Sequence, residues 1–162
     1  MLQPQMVTLS GLTPKRERLD NIPVQVVDLA MLILVKAIAF QDRLNKHEGN
    51  PEGERHLLQA AKHAYDISEC LRRYLGGMEV LAERISPLWL MQGGTEQAQI
   101  DDALECLRVH FTSPTAKGPS LMVREERYQL DGENERMVAR RQVSRRVERL
   151  LRLLEERMKP LL

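Results

Sequence analysis

The 162 residues are 43% apolar and 29% charged with a net charge of +1, the balance of one soluble globular domain long enough to bury a core. Two cysteines, Cys70 and Cys106, exclude a disulfide scaffold and make a reducing cytoplasm the expected home. Aromatic residues are only 4%, so a core must come from Leu, Val, Ile, Met and Ala, which together with Glu and Arg favour helices over sheets.

Residues 1–20, MLQPQMVTLSGLTPKRERLD, show no basic start leading into an apolar run, which predicts an extended tail rather than a signal peptide. Residues 21–162 are expected to form a single all-α domain, a compact bundle of five to six helices. Glycine and proline cluster at the joints, and the stretches between them repeat their apolar residues at a helical period.

The first helix is predicted from about Ile22 to Lys46, with Asn21 as its N-cap and Pro23 in its first turn. It is apolar around nearly its whole circumference, which predicts a central, buried helix. Gln25, Asp28 and Lys36 interrupt its greasiest run, which therefore falls short of the roughly 20 apolar residues of a membrane span. No membrane partner is expected. The second helix is predicted over Pro51 to Leu75, capped by Asn50 and stopped by Gly76–Gly77.

A third helix is predicted from Met78 to about Ser86, cut by Pro87, with Trp89 on a bent extra turn beyond it. Thr95 should cap a fourth helix, Glu96 to His110, whose stripe is Ile100, Leu104, Leu107 and Phe111. Residues 112–120, TSPTAKGPS, read as a mobile loop. Residues 121–130 fit a short helix or a hairpin built on Asp131–Gly132, with the helix preferred. Asn134 should cap the last helix, Glu135 to Lys159.

That last helix carries the pointed feature of the chain. Residues 140–157, RRQVSRRVERLLRLLEER, place seven arginines among leucines and valines. With Val143 at zero and 100° per residue, Val147, Leu150 and Leu154 fall within about 40° of it. Arg141, Arg145, Arg149 and Arg152 fall between about 160° and 240°, opposite that seam. Intrahelical pairs Glu148–Arg152, Arg152–Glu156 and Arg145–Glu148 have suitable spacing. No acid lies between Glu135 and Glu148, so Arg140, Arg141, Arg145 and Arg146 go unanswered along the helix. Charge is also split along the chain: residues 21–110 hold 9 basic and 13 acidic groups, residues 135–162 hold 9 and 4.

Three readings follow. In the first, arginine is a good helix former on a solvated face, partly paired with the acidic body. In the second, the row of Arg140, Arg141, Arg145, Arg146, Arg149 and Arg152 meets nucleic-acid phosphates, for which the planar guanidinium fork is suited. In the third, the row meets an acidic protein. The only aromatic residue near the row is Tyr128, so backbone contact without base stacking is expected, with strong salt dependence. The seam of Val143, Val147, Leu150 and Leu154 has heptad spacing for only about two heptads, which favours packing inside the bundle over a zipper while leaving self-association open.

Other chemistry is thin. His56 and His63 sit about 10 Å apart along a helix, too far to share a zinc ion, and His63, Asp66 and Cys70 form an incomplete set. Asp101, Asp102 and Glu105 suit a helix start without a metal. There is no phosphate-binding glycine loop, paired-cysteine motif or nucleophile elbow. The expectation is a non-enzymatic protein without cofactor, metal or small-molecule substrate: a small helical subunit or accessory regulator of a larger assembly, a nucleoprotein one included. The alternatives are a sequence-tolerant DNA- or RNA-binding dimer and a pure protein–protein adaptor or inhibitor.

Overall fold

The computed structural model describes residues 28–91, 94–125, 128 and 130–159. Within them the chain is all-helical, six helices packed as a bundle with no strand: α1 (Leu29–His47), α2 (Gly53–Arg73), α3 (Gly77–Met91), α4 (Thr95–Phe111), α5 (Lys117–Met122) and α6 (Glu133–Met158). Helix α1 pairs most extensively with α2 and also packs on α3 and α4, the central role its apolar circumference implies. Helix α6 lies on α3 and α4, and short α5 fills the space between α2, α4 and α6. Phe40 of α1 and Phe111 of α4 meet at a ring-centroid distance of 5.1 Å in the core, and both are fully buried.

Helix α1 begins later than the sequence pattern suggests. Asp28 is its N-cap, with Oδ1 accepting the Ala30 N–H at 2.8 Å, so the chain is not yet helical at that residue. Asn21 and Pro23 lie outside the described residues. Asn50 does not cap α2 directly. Its Oδ1 accepts the Glu52 N–H at 2.9 Å in a local turn, and the helix starts at Gly53, where a Cβ would come within 2.9 Å of the His47 carbonyl. Leu75 falls beyond α2 and is 90% exposed.

Pro87 does not end α3, which continues to Met91. The proline deprives one carbonyl of its partner, yet Leu88 and Trp89 pack against the core, and the Trp89 indole N–H donates to Asp101 Oδ1 of α4 at 2.7 Å. Packing outweighs a helix-interior cost of about 3 kcal/mol. Gly94, at φ 64°, precedes α4, so Thr95 is its first helical residue rather than its cap. The stripe of Ile100, Leu104, Leu107 and Phe111 is buried as its period requires.

The loop expected over 112–120 is a loop only through Ala116. From Lys117 the chain winds into α5, with Gly118 and Pro119 buried. Glycine is required there: a Cβ on residue 118 would lie 2.6 Å from the Phe111 ring and 2.7 Å from the His110 carbonyl. In the 121–130 segment, α5 closes at Met122 and a turn follows through Glu125, so neither a separate helix nor a hairpin forms among the described residues. Helix α6 begins two residues before the expected start, after Gly132. Asn134 is therefore inside it, and the Glu135 carboxylate accepts the Asp131 N–H at 3.1 Å in the capping role.

Candidate functional site

Helix α6 spans 26 residues, about 39 Å at 1.5 Å per residue. Val143, Val147, Leu150 and Leu154 are 0–1% exposed, and Ala139, Ser144 and Leu151 complete the buried face. The seam is therefore spent inside this chain's own core. Burying it fixes the rotation of the rod, and rotation fixes where the arginines point.

Arg141, Arg145, Arg149 and Arg152 are exposed, as their place opposite the seam demands. Arg140 and Arg146 are half-buried, because at 100° per residue they stand only about 60° to either side of Val143. Arg140 leans back along the helix, Nη1 to Glu133 Oε1 at 3.6 Å, while its Nε is buried with no hydrogen-bond partner among the described residues. The six expected contact residues thus form a row of four with two shoulders.

None of the predicted intrahelical pairs closes. Among the described residues, Glu148 and Glu156 pair with none of these arginines. Apart from Arg140, the α6 arginines that are answered reach across to another helix. Arg149 donates to Glu79 in the first turn of α3, and Arg157 donates to Glu83 of the same helix at 3.0 Å. Arg108 of α4 clasps Glu155 at 3.0 Å and Glu105 at 2.6 Å. Arg141, Arg145, Arg146 and Arg152 have no carboxylate partner among the described residues.

The fold adds a second wall to the row. Arg145, Arg146 and Arg149 share a groove of about 340 Å³ with Arg72 and Tyr74 at the end of α2 and with Glu79 at the head of α3. Arg72 and Arg73 both grip Glu69, at 2.7 and 2.9 Å, which holds that carboxyl below its usual range through the Arg72 hydrogen bond first. The Glu79 carboxyl is likewise lowered, by its own backbone N–H and then by Arg149. Five guanidinium groups thus stand around two carboxylates. The α2 wall escapes a reading of the α6 sequence because Arg72 lies more than 70 residues before the arginines it joins; the adjacent Arg72 and Arg73 just ahead of Gly76–Gly77 are a signal that the sequence reading left unused.

The other chemistry-bearing residues are engaged structurally. Asp66 pairs with Lys36 at 2.8 Å, tying α2 to α1. His63, beside that pair, has its pKa lowered first by burial and then by Lys36. Cys70 and Cys106 are free, buried thiols; Cys106 donates to the Ala37 carbonyl at 3.2 Å, and burial pushes it up to about 12. Among the described residues no three His, Cys, Asp or Glu side chains gather into a set that could hold a metal ion, and no helix is long and apolar enough to cross a membrane. Comparison with protein-family models, with curated proteins and with solved structures finds no match.

Proposed function

We propose that this chain is a non-catalytic binding protein, a small helical subunit or accessory regulator, whose α6 arginine face contacts the phosphate backbone of a nucleic acid in a larger assembly. The observation that supports this reading is the combination on one helix of a fully buried seam with Arg141, Arg145, Arg146 and Arg152, which have no carboxylate partner among the described residues. A rigid rod presenting guanidinium groups at one-turn spacing is suited to successive phosphates.

The test is a mobility-shift titration on two unrelated duplexes. Four phosphate contacts imply a log–log salt slope of about −3.6, hence an affinity loss of about a hundredfold between 50 and 200 mM salt. Arg141→Ala and Arg145→Ala should each weaken both duplexes alike and reduce the slope by about one. Arg157→Ala, which removes a cation already held by Glu83, should do less. Salt-independent binding, or a loss confined to one duplex, would refute backbone contact.

A second reading, the protein–protein adaptor, is favoured by one feature. Tyr128, Leu130, Val138 and Ala139 line a shallow, largely apolar groove of about 480 Å³ near the start of α6, and Val138 is 51% exposed. Val138→Ser, which removes apolar surface without adding a charge beside Arg141, would weaken co-purification of a protein partner there while leaving the salt titration unchanged.

A further inference from the structure

We infer that the groove between α6 and the α2–α3 junction is a discrete phosphate site, and that Glu79 is its built-in competitor, occupying with its carboxylate the position a ligand phosphate takes. This inference rests on the arginine face being a phosphate-contacting surface and assigns where on that face one phosphate is held.

The groove, of about 340 Å³, has room for a phosphate or pyrophosphate group. Its walls bring Arg72 from one helix together with Arg145, Arg146 and Arg149 from another. Arg145 and Arg146 have no anion to hold among the described residues, and the single carboxylate on the floor side, Glu79, engages Arg149 alone. Glu69 is already shared between Arg72 and Arg73 outside that set. A carboxylate offers two oxygens, whereas a phosphate offers three or four and can accept from several guanidinium forks at once. Glu79 is about half exposed, so its carboxylate can turn to solvent once its bonds to Arg149 and to its own backbone N–H are given up. An incoming phosphate therefore exchanges one partner for several, and the Glu79 charge must leave before the exchange is complete.

The ligand chemistry is a phosphate monoester or diester, and it has two sources: a free phosphorylated solute or a nucleic-acid backbone. The experiment follows backbone amides of Met78, Glu79 and Val80 and the arginine Nε–H signals by NMR in the full chain, titrated with inorganic pyrophosphate and separately with a mixed-sequence duplex. Pyrophosphate should saturate, with the changes concentrated at residues 78–80 and at Arg145, Arg146 and Arg149. Glu79→Gln should tighten pyrophosphate by about two- to fivefold, the scale of removing one exposed ion pair. Glu156→Gln, the same charge change on the arginine face two turns away, should alter it far less. Equal effects of the two substitutions, or non-saturating changes spread over all arginines, overturn the site. A duplex that moves the same signals identifies the backbone as the source. Pyrophosphate saturation without duplex binding keeps the site and removes the nucleic-acid reading. Duplex binding that leaves residues 78–80 unmoved keeps that reading and removes the site.

Discussion

Leu150→Ala asks whether the α6 seam belongs to the fold of one chain. Leu150 is 0% exposed, midway along the buried face of a helix that packs on α3 and α4. Three buried carbon groups at about 0.8 kcal/mol each give a transfer loss of about 2.4 kcal/mol. A residual cavity of about 60 Å³ adds about 1.4 kcal/mol, for a total near 4 kcal/mol, inside the range found for buried leucines. That is a large share of the 5–15 kcal/mol that holds a typical domain together. With a urea dependence of about 2 kcal/mol per molar, the unfolding midpoint falls by about 2 M. Helical circular dichroism in urea reads this directly, with Leu58→Ala (63% exposed) as a control expected to cost under about 0.5 kcal/mol. Midpoints should agree between protein concentrations about a hundredfold apart, because nothing but the chain itself covers the seam. A Leu150→Ala loss below about 1 kcal/mol, or a wild-type midpoint that climbs with concentration, would refute a seam packed within one subunit.

Two further outcomes follow from titratable groups in the interior. His63 and His110 have folded pKa values lowered from 6.5, each by burial first, then by Lys36 and Lys117 respectively. As pH falls through 6.5 the unfolded imidazoles bind protons before the folded ones, so stability should decline until the lower folded values are reached; urea midpoints between pH 7.5 and 5.5 should show the decline, and His63→Gln should flatten it. Cys106, pushed up to about 12, and Cys70, raised by burial and then by Asp66, remain thiols at pH 8, so a disulfide reagent should label neither in the native protein and both in urea.

What the sequence discloses here is periodicity, and what it conceals is contact between distant segments. The α4 stripe and the α6 seam are legible because each repeats at steps of three and four over several turns, leaving only one face to bury. The outward direction of Arg141, Arg145, Arg149 and Arg152 follows from the seam by geometry alone. Helix ends are less legible, since Asp28, Gly94 and Gly132 hold their cap positions through local backbone geometry that competes with the equally plausible Asn21, Thr95 and Asn134. Pro87 and the Gly118–Pro119 pair mislead for a different reason. Their local propensity is against helix, but Trp89 bonded to Asp101 and the Phe111 ring seated on Gly118 supply tertiary support that no local window contains.

The electrostatics of α6 show how the fold decides which charges are left for a partner. Glu79 and Glu83 are four residues apart on α3, about 6 Å, while the arginines they hold, Arg149 and Arg157, are eight apart on α6, about 12 Å. The two rungs keep the same order, so α3 and α6 run in the same sense, and long guanidinium side chains take up the mismatch in spacing. Because α3 begins at Gly77, the ladder cannot extend toward the start of α6. Past that point lies the end of α2, where the Glu69 carboxylate is already taken by Arg72 and Arg73. Cation therefore faces cation at the α2–α6 junction, and among the described residues Arg141, Arg145 and Arg146 have no carboxylate partner while Arg149 and Arg157 are held. The predicted ranking of Arg141 and Arg145 above Arg157 in the salt titration is thus set by where α3 starts, a property that α6 alone does not encode.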